Sequence, residues 1–259
     1  MRHSFPTMGT VATLDLAGHS DLTGPMAASA VIEAIERLFA EADRRFSLYR
    51  PDSELHRISQ GSLRLVDSSE ELREVYASAI GWRAATNGAF SPHRPDGIID
   101  LNGIVKAWAM DRAARWLESA GVTDCCLTVG GDLVFSGEQG DGSPWTIGIV
   151  DPADRTKLLC SLLLSGGQKA MATSGSAERG DHIWLAGSNE RAEYLQVTVV
   201  AHDIVTADVL ATAIVSGGEA SRDQVTEGWP VDVLTVDRDG NLTATPGLVG
   251  ALASDPRSS

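Results

Sequence analysis

Three cysteines in 259 residues are too few for a disulfide framework, and two of them, Cys125 and Cys126, are neighbours. On a strand, adjacent side chains point to opposite faces. The pair is therefore expected to be two small buried hydrophobes in a reducing compartment, not a bridge or a metal site. Basic charge is scarce as well: 21 Lys and Arg stand against 35 Asp and Glu, a formal net charge of -14. Such a field repels phosphate backbones, which excludes nucleic acid as a partner. No uninterrupted apolar run is long enough to cross a bilayer, so no membrane insertion is expected. A basic n-region, a long apolar h-region and a cleavage site are also missing near the first residues, and the expected location is cytoplasmic. Neither low-complexity sequence nor a repeat of about 20–50 residues occurs, which excludes solenoids and arrays.

What is present is the composition of an ordinary globular enzyme, 43% apolar and 22% charged, in a chain long enough to bury a large core. Its organising stretch runs from Asp100 to Asp132. A polar turn at Asn102-Gly103 opens an amphipathic helix carrying Val105, Trp108, Ala109, Ala113, Trp116 and Leu117 near the 3.6-residue period. Gly121 is placed to stop it, Cys125 to Val129 predicts a short buried strand, and Gly130-Gly131-Asp132 predicts a tight turn. Lys106 sits near the start of the helix, where a cation beside a helix N-terminus suits a phosphate.

Around that centre, the alternation from Gly9 to Leu16 predicts a half-buried strand, and the apolar stripe from Met26 to Ala42 predicts a helix. Asp52 or Ser53 is expected to cap a helix start, and Glu70 to Ala85 predicts a second amphipathic helix. After Asp132, strand signals at 133–136, 145–150, 158–164 and 168–173 predict an antiparallel meander. Further strands are predicted at 195–201 and 231–236, with helical spacing at 206–215. Helices mixed with hairpin-like strands predict an α+β fold. Residues 1–253 are expected to form one domain and 254–259 a frayed tail.

Three constellations could carry chemistry. Asp208 and Thr212 lie four apart in ADVLAT, so a helix puts a carboxylate and a hydroxyl on one face. That is hard-oxygen ligation of the kind Mg²⁺ accepts, with water and phosphate completing the shell. From spacing alone a bland alternative is the favoured one: Thr206 capping the helix, Asp208 favouring its dipole and Thr212 bonding back to a carbonyl. Thr173-Ser174-Gly175-Ser176 is either a backbone cradle for a phosphate or flat ring, or a plain turn. His182 follows as a titratable side chain that is either structural or a base.

Taken together the motifs are more specific. MGT at Met8, SLYRPDSELHRIS at Ser47, DLNGIVKAWAMDRAARWL at Asp100, VGGD at Val129, ATSGS at Ala172, HI at His182 and VTVVAHDIVTADVLATAIV at Val197 occur in order. In this order and spacing, from Thr7 to Val236, the chain resembles the ApbE family of FAD:protein FMN transferases. The resemblance implies a compact two-lobed α+β body with antiparallel sheets and a ligand cleft between lobes. It implies Mg²⁺-dependent transfer of the FMN half of FAD onto a Thr or Ser hydroxyl of an acceptor protein, releasing AMP. The metal positions it implies are Asp208, Thr212 and the backbone of Gly103, and the flavin nucleotide positions are Met8, Ser47, Leu48, Tyr49, Lys106, Ser174, Gly175, His182 and Ile183. His182 and Asp208 are the implied catalytic pair, His182 accepting the hydroxyl proton. Three departures stand out: Trp184-Leu185-Ala186-Gly187 replaces the usual run after His-Ile, Ser91 replaces an Asp after Phe90, and Ala107 replaces a Gly after the lysine. Two other outcomes fit the same residues: hydrolysis of FAD to FMN and AMP, with water in place of the acceptor, and FAD binding without turnover.

Overall fold

The computed structural model describes residues 1–17, 25–164, 169–175 and 192–253. Period-2 alternation builds its centre. Strand β3 (Cys125–Val129) sends Cys125, Leu127 and Val129 to one apolar core and Cys126 to another. The expectation that the two adjacent cysteines face opposite ways therefore holds, and all three cysteines are free thiols.

Seven further strands join β3 in one antiparallel sheet: β1 (Arg2–Thr7), β2 (Thr10–Leu16), β4 (Asp132–Ser136), β7 (Ala170–Gly175), β8 (Tyr194–Ala201), β9 (Asp232–Asp237) and β10 (Leu242–Ala244). Their order is β1-β2-β3-β4-β7-β8-β9-β10. The predicted meander after Asp132 is interrupted, because β5 (Trp145–Val150) and β6 (Leu158–Leu164) pair only with each other. Their apolar faces, with Trp145, Ile147, Ile149, Leu162 and Leu164, cover the side of the main sheet that displays Cys126, Leu133, Phe135, Met171 and Val200. A two-sided sheet needs cover on both faces, and the hairpin supplies it on one.

Helices cover the other face. These are α1 (Pro25–Phe46), α2 (Glu54–Ser59), α3 (Glu70–Ala85), α4 (Asn102–Ser119) and α5 (Ile204–Gly228), while α6 (Pro246–Gly250) lies by β9. Ser53 caps α2 by accepting the His56 N–H at 2.9 Å, as expected. Helix α3 has the predicted bounds. Helix α1 runs one turn beyond Ala42, because Phe46 is buried and stacks edge-on against Trp108 of α4 at 5.1 Å between ring centroids. A charged cluster binds the same helices at the rim: Arg45 pairs with Glu71, Arg112 Nη1 donates to Glu71 Oε1 at 2.5 Å, and the Arg112 guanidinium lies 4.8 Å over Trp108.

Helix α5 corrects three expectations. It extends from the predicted 206–215 to 25 residues, passing through Gly218, whose φ of 65° bends it. It is also long and apolar enough to cross a bilayer, with a mean hydropathy of 1.2, although no such stretch is expected from the sequence. Of that window 67% is buried inside the protein, against β7, β8 and α4, so α5 serves as the core helix. Its cap is Asp203, not Thr206: Asp203 Oδ1 accepts the Thr206 N–H at 2.8 Å and Oδ2 accepts its hydroxyl at 2.8 Å.

Candidate active site

The strand registers bring two turns and the end of β7 to one edge of the sheet. Thr7 pairs with Thr10 across Met8-Gly9, Val129 pairs with Asp132 across Gly130-Gly131, and β7 runs antiparallel to β4 to finish at Gly175 on that same edge. Met8 has φ of 45° although it is not glycine, so the first turn holds a conformation that costs a side-chain-bearing residue about 1 kcal/mol or more. Beneath these turns lies a cleft of about 670 Å³. The end of α1 contributes Asp43 and Phe46, followed by Ser47 and Tyr49. The start of α4 contributes Asn102, Gly103, Val105 and Lys106, and Thr212 reaches in from α5. A volume in this range suits a nucleotide-sized ligand.

Alternation explains why the polar groups converge. Asp132 is in phase with Val134 of β4, and Ser174 is in phase with Ala170 and Ala172 of β7, all on the helical face. There Lys106 Nζ forms an ion pair with Asp132 and stands 4.0 Å from Asp208 Oδ2. Both carboxylates are fully buried, and the lysine side chain is 13% exposed. A buried ammonium between two carboxylates persists only where the partners are close, since each charge is expensive to remove from water. Asp132 Oδ1 also accepts the Thr173 N–H at 3.0 Å, and Ser174 Oγ lies 3.3 Å from Thr212 Oγ1.

The sequence-derived positions divide cleanly. Met8, Ser47, Tyr49, Gly103, Lys106 and Thr212 line one cleft, and Asp208 meets Lys106 just behind it. Ser174 and Gly175 are buried at the end of β7, Ser174 touching Thr212. Leu48 points elsewhere: it packs on the large core, and its carbonyl meets His56 Nδ1 at 2.8 Å. His182, Ile183 and the Trp184–Gly187 segment lie outside the described residues. In the sequence Asp132 stands out only as the end of the Gly130-Gly131 turn and of the VGGD motif, with no site role. Its phase with Val134, which turns it toward the helices, was the signal that could have found it.

The donors for a cation that converge on the cleft are oxygens. Among the described residues no group of three or more His, Cys, Asp or Glu side chains converges. A hard cation fits these oxygens. Asp208 and Thr212 offer a carboxylate and a hydroxyl one helical turn apart, the Gly103 backbone faces the same cleft, and phosphate oxygens of a ligand would complete the shell.

Comparison with known proteins places this geometry in a class. The fold is that of the flavin transferase ApbE from Vibrio cholerae, matched with a TM-score of 0.79 at 25% identity over 97% of this chain and 99% of that one. An ApbE protein from Thermotoga maritima has the same fold, with a TM-score of 0.79 at 21% identity over 98% of this chain and 99% of that one. The sequence of the FAD:protein FMN transferase of Vibrio cholerae is 27% identical over 291 aligned positions, which cover 90% of this chain and 86% of the relative. The profile of the ApbE family matches residues 8–95 and 93–234, and the chain belongs to that family.

Proposed function

We propose that this chain is a Mg²⁺-dependent FAD:protein FMN transferase, moving the FMN half of FAD onto a Thr or Ser hydroxyl of an acceptor flavoprotein and releasing AMP. The observation that carries the proposal is the meeting of two sets of residues in one cleft. Met8, Ser47 and Tyr49, the flavin contacts of the proposal, line the same cleft as Gly103, Lys106 and Thr212, its phosphate and metal contacts, and Asp208 lies 4.0 Å from Lys106. The Vibrio cholerae relative is itself named an FAD:protein FMN transferase.

In this reaction the acceptor oxygen attacks the FMN-side phosphorus, the bond to the bridging oxygen breaks, and AMP leaves with that oxygen. Asp208, Thr212 and the Gly103 carbonyl would hold Mg²⁺, which supplies Lewis-acid neutralisation of the pyrophosphate. Lys106 brings positive charge to the phosphate side of a chain whose net charge is -14, so anion binding depends on that local cation. Tyr49, 72% exposed at the cleft mouth, offers a flat face to a ring. His182 accepts the proton of the attacking hydroxyl, a role that rests on its place after the ATSGS motif.

The test is to express the chain with a flavoprotein subunit bearing a surface Thr, supply FAD and Mg²⁺, and follow both AMP release and in-gel flavin fluorescence under denaturing conditions. AMP formed in step with covalent flavin supports the transferase. AMP formed without any acceptor would make the chain an FAD pyrophosphatase, and saturable FAD binding with neither product would make it a binding protein.

A further inference from the structure

We infer that Asp132 is a positioning residue: it holds the Lys106 ammonium away from Asp208, so that Asp208 keeps its charge for a divalent cation. The inference rests on the metal-dependent reading above and deepens it. Its two oxygens have separate tasks. Oδ1 accepts the Thr173 N–H at 3.0 Å, which fixes the start of β4 against the end of β7, and Oδ2 faces Lys106 Nζ as an ion pair. Lys106 Nζ is 4.0 Å from Asp208 Oδ2, so the ammonium leans to Asp132 of its two carboxylate neighbours. Asp132 does not line the cleft, whereas Lys106 does, so Asp132 acts through the lysine and not on a ligand.

The electrostatics make the arrangement asymmetric. A lysine stem is flexible and its head is a point charge, so it moves to whichever buried carboxylate remains. With Asp132 neutral, the remaining carboxylate is Asp208, and an ammonium pressed on it competes with any cation for the same oxygens. Asp132→Asn tests this, since the amide keeps an Oδ1 acceptor for the Thr173 N–H and loses the charge facing Lys106. The Thr173 bond is structural, and the variant retains its acceptor.

The experiment is a titration of the purified, FAD-free protein with Mn²⁺, read by water-proton relaxation, in wild type, Asp132→Asn, and the double variant Asp132→Asn/Lys106→Met. Thermal unfolding of each confirms that it is folded. The expected result is Mn²⁺ binding by wild type and binding about tenfold weaker in Asp132→Asn, the scale on which partners of a metal ligand act. The double variant should return toward the wild-type affinity, because no ammonium remains to compete. Equal Mn²⁺ binding by wild type and Asp132→Asn overturns the inference, and so does a double variant as weak as the single one. Wild type that binds no Mn²⁺ overturns the metal reading itself, an outcome distinct from the other two because it appears before any substitution.

Discussion

Ser174 Oγ lies 3.3 Å from Thr212 Oγ1, so the end of β7 and the middle of α5 meet through two hydroxyls. Thr212 also lines the cleft, whereas Ser174 is fully buried behind it. The two residues therefore predict different losses. Thr212→Val keeps the shape, removes the cleft oxygen and leaves Ser174 without that partner. The expected stability cost is about 1 kcal/mol, together with loss of the Mg²⁺ enhancement of FAD binding. Ser174→Ala is expected to leave most of that enhancement intact. Flavin fluorescence titrations with and without Mg²⁺, beside denaturant unfolding, separate the two.

Asp208→Asn should disable the chemistry without unfolding the protein. Lys106 keeps its ion pair with Asp132, so no buried ammonium is stranded, and one buried carboxylate is removed from the site. AMP release is expected to fall about a hundredfold or more, the scale of losing a Lewis-acid contribution of several kcal/mol. The melting temperature should be unchanged or higher. A large fall in melting temperature would show that Asp208 is a structural partner first.

Gly130→Ala and Gly131→Ala should differ although they are neighbours. Both glycines have positive φ, 56° and 95°, so either alanine costs about 1–2 kcal/mol. Only at position 130 does a Cβ meet a close neighbour, Thr10 Oγ1 at 3.0 Å, in the adjoining turn that also lines the cleft. FAD affinity is expected to drop more for Gly130→Ala than for Gly131→Ala at comparable stability, as read from paired binding and unfolding curves.

Burial pushes the Cys126 thiol up to about 12 from an ordinary 9.0, and burial raises Cys125 as well. Both stay protonated at neutral pH, so iodoacetamide at about pH 8 should modify the half-buried Cys160 first and reach the other two only on unfolding. The raised folded value means that the native state binds the proton more tightly than the unfolded chain. That contribution is complete below the unfolded value and is lost as pH rises from 9.0 toward about 12. A Cys126→Ala protein should show a flatter fall in denaturant midpoint over that window.

Local periodicity made most elements legible. The bounds of α3, β3, β5 and β6 follow from apolar spacing, and the Ser53 cap follows from its side-chain chemistry. Motif order pointed to the candidate site, and Asp208 and Thr212 need only a helix to be neighbours in space. What escaped was decided by distant partners. Strand β1 is recruited by β2 across the Met8-Gly9 turn, and its Arg2-to-Thr7 sequence has little alternation of its own. The extension of α5 passes the Gly218 bend, where Glu193 Oε2, distant in sequence, accepts the Glu219 N–H at 2.9 Å. The pairing of β4 with β7 across the intervening hairpin is a choice of register that no local pattern encodes, and it is that choice which brings Asp132 to Thr173.

Asp208 and Thr212 ride on the most deeply packed helix, whereas Ser47, Tyr49 and the Met8 turn stand at the rim. The two halves of the cleft should therefore exchange amide hydrogens on different clocks. Amides of residues 208–215 are expected to be released only when the whole fold opens, and those around Ser47 and Met8 by small local openings. In the proposed reaction such a rim would breathe to admit and discharge a bulky nucleotide while Asp208 and Thr212 stay fixed.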